Sequence, residues 1–256
     1  MKKKYYIFIA VASYFIFLIA TIPAKPVIDL ATGNNASVNI QGISGTLWDG
    51  KAYAISINNN IRLKSTSWSF SLWRLIIGQV AADVHSRYLG NDIDTEIGVS
   101  LLGGYFVNNL STMISAKEVT RLAEIPLAQL AGPISINIEH AQWSSGELPL
   151  AEGVINWHNA TVTVAETVAL GNVTITLNES DEGLLFADIK NQGGDIAIIG
   201  AARLVPEADY AIDVKLSPTA SAGNNIKQSL GLFAKKLPNG EYHLKNSGSL
   251  DQIGLM

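Results

Sequence analysis

A single N-terminal membrane helix, then a large antiparallel β-sheet domain, twisted or folded over and carrying one or two short helices, is the mainly β fold class this chain predicts. Three features predict it. An uncharged apolar run opens the chain, apolar and polar residues alternate from Ser37 almost to the C-terminus, and clusters of Asn, Asp, Gly and Pro separate the alternating runs. The 256 residues suit one large β domain or two modest ones. Hydrophobic residues make up 48% of the chain and charged ones only 16%, with a net charge of −4. That balance speaks against nucleic-acid binding, which needs a surplus of Lys and Arg to neutralise phosphates. The absence of cysteine removes disulfides, Cys-ligated zinc, iron–sulfur clusters and thiol catalysis together.

Residues 1–4 read as a cytoplasmic tail and 5–22 as a transmembrane helix. The latter hold no charge, and at 1.5 Å per residue they rise roughly 27 Å, close to the hydrocarbon thickness of a bilayer. Ten of them are Ile, Leu, Phe or Val, which together favour insertion by about 3–6 kcal/mol. Lys2, Lys3 and Lys4 keep the N-terminus in the cytoplasm, Tyr5 and Tyr6 suit the cytoplasmic interface, and Ile22 closes the span before Pro23 and Pro26. A signal peptide cleaved after Ala24 is the alternative. Its apolar core would be longer than usual, and Ile22 stands where a small residue is preferred.

Residues 23–36 read as a linker and 37–256 as an exported β domain, which the resemblance given below makes periplasmic. Alternation is plain at Val38 and Ile40, Ile55 and Ile57, Ile61 and Leu63, and Trp68, Phe70 and Leu72. It recurs at Ile134, Ile136 and Ile138, at Val173, Ile175 and Leu177, and at Tyr210, Ile212, Val214 and Leu216. Strands with one buried and one wetted face have this period. Turns are expected at residues 58–60, 181–183, 192–195 and 238–240. Two segments have helical spacing instead. One is 117–130, split by Pro126, and the other is 225–236, where Asn225 is a cap candidate and Ile226, Leu230, Phe233 and Leu237 share a face. Val38-Asn39-Ile40 with Trp48-Asp49-Gly50 echoes Ile136-Asn137-Ile138 with Trp143-Ser144-Ser145-Gly146. Two similar halves, 37–131 and 132–256, fit this echo, and so does one continuous sheet.

No catalytic constellation emerges, and neither a metal site nor a cofactor site is expected. His85, His140, His158 and His243 lie far apart in the chain, and His140 ends an alternating strand where it is expected to face solvent. Asp92 and Asp94, like Asp181 and Glu182, fall in turn-like polar stretches, and Gly42-Ile43-Ser44-Gly45 lacks the spacing of a nucleophile elbow. Asn-x-Ser/Thr triplets at Asn35, Asn109, Asn159, Asn172 and Asn178 are ordinary for this composition. The five tryptophans, Trp48, Trp68, Trp73, Trp143 and Trp157, are expected chiefly in the core, with an apolar groove as the alternative.

A lysine-tipped apolar segment followed by Gly45-Thr46-Leu47-Trp48-Asp49-Gly50-Lys51-Ala52 resembles the opening of the type II secretion system protein N family. A Trp-rich apolar run at 68–78 and the C-terminal stretch through Leu232, Phe233, 237–244, Gly248 and Leu250 resemble the family as well. A proline near Trp73 would fit the pattern better. The resemblance implies a non-enzymatic inner-membrane component of the general secretion pathway, partnered by other inner-membrane or periplasmic components of that system. No catalytic residues carry over. In the motif, Gly42, Gly45 and Gly50 are expected to allow a tight or bulged hairpin, Leu47 and Trp48 to supply apolar bulk, and Thr46 and Ala52 to complete the run. The predicted sheet with short helices also looks like AsmA-type periplasmic domains, which implies, as a second possibility, lipid or another hydrophobic ligand in an apolar groove.

Overall fold

The computed structural model describes residues 2–33, 37–58, 60–101, 103–123, 128–144, 147–164, 166–180, 183–205 and 209–249. Asn35, Asn59, Pro126, Ser145, Gly146, Asp181, Glu182 and Leu250, which figured in the reading of the sequence, lie outside them. The chain forms two compact units, Met1–Gly98 and Val99–Met256. The 131/132 boundary suggested by the echo falls inside the second.

The first unit begins with α1 (Lys2–Ala20) and α2 (Ala24–Thr32). Helix α1 stops two residues short of Ile22, and its last turn is closed by Thr21, which gives both its backbone N–H (3.0 Å) and its hydroxyl (2.8 Å) to Phe17 O. Positions 5–20 therefore rise roughly 24 Å, less than a hydrocarbon core of about 30 Å. Among the described residues no helix is long and apolar enough to cross a membrane, so the expected span is not met in full. The segment read as a linker is largely helical. Pro23 precedes α2 in extended conformation, and Pro26 sits in its first turn, where a missing N–H costs nothing.

Strands β1 (Val38–Gln41), β2 (Ser44–Gly45), β3 (Asp49–Ile57), β4 (Ile61–Phe70), β5 (Gln79–Tyr88) and β6 (Asn91–Ser100) follow. Their order is β1-β3-β4-β5-β6, with β2 also on β3. The registers of β1, β2 and β4 on β3, and of β5 on β4, are antiparallel. The alternating run at Trp68 leaves the sheet after Phe70, and Leu72–Ile77 forms a 3-10 turn closed by Gly78 at φ 73°. Most buried apolar positions here are alanines, Ala24, Ala52, Ala54, Ala81 and Ala82, joined by Tyr88, with Thr66, Ser86 and Glu96 as buried polar residues.

In the second unit, β7 (Tyr105–Ser115) leads into α3 (Ala116–Leu122), capped by the Ser115 hydroxyl on Lys117 N–H at 3.2 Å. Strands β8 (Gln129–Ala131), β9 (Pro133–Trp143), β10 (Leu150–Thr163), β11 (Thr167–Glu179), β12 (Leu185–Gln192), β13 (Ile196–Val205) and β14 (Asp209–Pro218) come next. Helix α4 (Asn224–Phe233), β15 (Lys235–Lys236) and β16 (Tyr242–Gly248) complete it. The order is β7-β9-β10-β11-β12-β13-β14-β16-β15, with β8 on β10. The helix expected over 117–130 is thus shorter, its end being strand β8. The one expected over 225–236 stops at Phe233, its two following lysines pairing as β15. Asn225 does not cap α4; its side-chain N–H donates to Glu166 at 2.7 Å.

Helix α4 lays Ile226 and Leu230 on Ile196, Ala222, Ala234 and Tyr242, the main apolar cluster of this unit. Tyr242 fixes the helix further by donating its hydroxyl to Lys227 O at 2.8 Å. Leu230→Ala is therefore expected to cost about 2–5 kcal/mol in urea unfolding. An unchanged midpoint would mean that α4 is not packed on the sheet.

Candidate functional site

The family-like run forms a tight turn that receives the end of α1. Thr46 N–H donates to Asp49 O at 2.8 Å, and the Thr46 hydroxyl accepts from Asp49 N–H at 3.0 Å, closing a four-residue turn with Leu47 and Trp48 at its tip. Gly45 sits at φ 88°, where a Cβ would lie 2.5 Å from Asp49 O. The left-handed backbone and the close approach both require glycine there. Gly42, at φ 67°, makes the jog between β1 and β2 against Tyr53.

A helix ends with carbonyls that have no partner inside it, and here the turn tip supplies donors. Trp48 Nε1 donates to Ile19 O at 2.7 Å, and Leu47 N–H donates to Ile22 O at 2.8 Å. Pro23 bridges Thr46, and Ala24 just beyond is fully buried. The tip is held from the other side by β4. Trp68 Nε1 donates to Leu47 O at 3.0 Å, Phe70 N–H donates to Trp48 O at 2.7 Å, and the Phe70 ring meets Trp48 edge-on at 5.8 Å. Gly50 lies opposite Trp68, and a Cβ on it would sit 2.3 Å from the indole ring. Ala52, two residues on, is buried beside Thr66. Gly42, Gly45, Thr46, Leu47, Trp48, Gly50 and Ala52 are thus gathered in one place. Leu47 and Trp48 are half-buried rather than core, because their apolar faces close the junction.

Of the expected anchor residues, Tyr5 and Tyr6 are exposed and Ile22 is half-buried at the junction. The side chains of Lys2, Lys3 and Lys4 are outside the description. No tryptophan reaches the core: Trp48, Trp68 and Trp157 are half-buried, and Trp73 and Trp143 are exposed. In the first unit, which holds Trp48, Trp68 and Trp73, the interior is built largely of alanines and leaves little room for indoles. His140 is half-buried, not solvent-facing, with Nδ1 2.6 Å from Asn108 Oδ1. Among the described residues no group of three or more His, Asp or Glu is placed to hold a metal ion. His85 pairs with Asp94 at 2.5 Å on the surface.

Ile19 and Ile22 carry no sequence signal as partners, since they act through their backbone carbonyls. An apolar cavity does occur, though no tryptophan is among its described lining residues. The cavity, of about 490 Å³, opens between α4 and the sheet, lined by Val168, Leu170, Ile196, Ile226, Leu230 and Phe233, with Glu166 and Ser229 among the few polar groups. Volume and lining fall within the usual range for small apolar ligands.

Residues 36–245 match the family model described as Type II secretion system (T2SS), protein N. The chain is 22% identical over 258 aligned residues to the type II secretion system protein N of Aeromonas hydrophila, covering 98% of this chain and 100% of that protein. It is 23% identical over 221 residues to the protein of the same name from Vibrio cholerae serotype O1, covering 83% of this chain and 85% of that one. No solved structure matches the chain.

Two substitutions separate the components of the junction. Trp48→Phe keeps a ring beside Phe70 but removes the donor to Ile19, and should lower unfolding free energy by about 1 kcal/mol. Gly50→Ala drives a methyl into the Trp68 ring and should cost about 1–3 kcal/mol. Denaturant unfolding reads both, and unchanged midpoints would refute the contacts. A third outcome concerns pH. The hydrogen bond with His243 (2.6 Å) and then Lys245 at 3.0 Å hold the exposed Asp213 carboxyl below its ordinary 3.8. The folded carboxyl binds protons less readily than the unfolded one, so its stabilisation is present above that value and is lost as pH falls through the folded pKa. Asp213→Asn should lower Tm at neutral pH, with the difference vanishing in acid; a difference that persists in acid would contradict the pairing.

Proposed function

We propose that this chain, which belongs to the type II secretion system protein N family, is a non-enzymatic inner-membrane component supporting export of folded proteins from the periplasm across the outer membrane. Helix α1 serves as the anchor, with the N-terminus cytoplasmic and the bulk of the chain periplasmic. Other inner-membrane or periplasmic secretion components are its partners. The observation that carries this reading is that the family-like run grips the end of the anchor rather than lining a pocket. Trp48 and Leu47 use the carbonyls of Ile19 and Ile22, and Ala24 is buried beyond them. Cleavage after Ala24 would discard both acceptors, which favours retention of the segment. The side chains of α1 support the anchor too: Ile7, Phe8, Ile9, Phe15, Ile16 and Phe17 all lie exposed.

A second reading rests on the cavity beneath α4. Its lining suits a lipid chain or another hydrophobic ligand, which would make the second unit a lipid-handling module.

Deleting the gene and comparing exoenzyme activity in medium and periplasm tests the first reading. Exoenzymes should accumulate in the periplasm and return to the medium on complementation; normal secretion would contradict it. For the second, a fluorescent fatty acid should bind the full chain and be excluded by Ser229→Trp at the cavity rim. Equal binding by the variant would exclude this cavity as the ligand site.

A further inference from the structure

We propose that the 3-10 turn Leu72–Ile77 is a second membrane contact, inserted into the periplasmic leaflet beside the end of α1. The inference rests on the anchor reading above and adds to it the surface by which the sheet itself meets the bilayer.

The turn presents Leu72, Trp73, Leu75, Ile76 and Ile77 to solvent, with Trp73 61% and Ile76 87% exposed. So dense an apolar cluster on a turn is costly in water and marks a contact surface. Its one charge is withdrawn from the tip. The Arg74 guanidinium reaches back to Glu96 at 2.5 Å and to Gln79 Oε1 at 2.9 Å, and Glu96 is itself buried on β6. The shape is held by backbone as well, since Ser71 N–H donates to Ala81 O at 2.9 Å and Gly78 N–H to Leu75 O at 3.1 Å. The tip is thus a fixed apolar wedge with no outward charge.

Its position selects a lipid bilayer as the occupant. Phe70, two residues before the turn, is hydrogen-bonded to Trp48 and meets its ring edge-on, and Trp48 is hydrogen-bonded to Ile19 in the last turn of α1. The wedge and the helix therefore emerge at the same end of β3 and β4. The shortness of α1 completes the argument. Apolar positions 5–20 rise only about 24 Å against a core of about 30 Å, so a helix that fills the core from the cytoplasmic side ends below the periplasmic interface. A short span is accommodated in part by local thinning of the bilayer, which brings the residues that flank the helix to the membrane surface. The residues brought there are the turn tip at Trp48 and the wedge next to it, and Trp73 is of the residue type favoured at that interface.

The chain contains no cysteine, so single cysteines can carry an environment-sensitive fluorophore without background. Full-length Phe8→Cys, Ile76→Cys and Leu89→Cys would be labelled and reconstituted into phosphatidylethanolamine–phosphatidylglycerol vesicles with and without doxyl-labelled lipid. Leu89, exposed beyond the far end of β5, is the water-facing control. Strong quenching at positions 8 and 76, severalfold above that at 89, is expected. Quenching at 8 but not 76 overturns the wedge and leaves the anchor standing. No quenching at 8 or 76 overturns the anchor, and the wedge with it.

Discussion

The attachment of α1 to the sheet depends on the pair of hydrogen bonds from Trp48 Nε1 to Ile19 O and from Leu47 N–H to Ile22 O. The large apolar side chains along α1, from Tyr5 to Ile19, lie exposed. The described hydrogen bonds that join the helix to the sheet sit at its end. A helix terminus must find donors for its last carbonyls, and a turn whose tip offers one indole N–H and one backbone N–H is a compact way to provide them. The remaining features of the motif follow from that requirement. Thr46 closes the turn, Gly45 permits its backbone, and Gly50 lets Trp68 lie close enough to hold Leu47 from behind.

The two units solve different problems with the same strand chemistry. The first has a thin interior of alanines and places its large aromatics at one end, around the helix terminus. The second gathers Ile, Leu and Tyr under α4 and leaves an apolar cavity there. In the first unit this contrast accounts for the half-buried Trp48 and Trp68: the alanines fill the interior, and the indoles pack where the sheet meets the end of α1.

Much of the fold is legible in the sequence because a half-buried strand must alternate. Val38 to Gln41, Ile134 to Glu139 and Tyr210 to Leu216 each fall in strands, and Pro238-Asn239-Gly240 falls in the turn before β16. Misreadings arise where tertiary contacts overrule local pattern. Residues 23–32 carry prolines at positions 23 and 26 and fall in the stretch read as a linker, yet Pro23 precedes the helix and Pro26 is tolerated in its first turn. Leu72 continues the alternation of Trp68 and Phe70, but the chain turns away after Phe70 because Arg74 is drawn to Glu96, 22 residues distant. The motif itself is visible as a Gly- and Trp-containing run. Its partner is not, because Ile19 and Ile22 contribute backbone carbonyls that any residue would possess.

The central claim is that α1 is held at a fixed angle to the sheet rather than tethered through a flexible linker. Pulsed electron–electron resonance between nitroxides at Ser13→Cys and Lys64→Cys, in full-length chain reconstituted into bilayers, measures this most directly. A single narrow distance distribution is predicted, broadening when Trp48→Ala is added. A broad distribution in the chain with Trp48 intact, unchanged by that substitution, would contradict it.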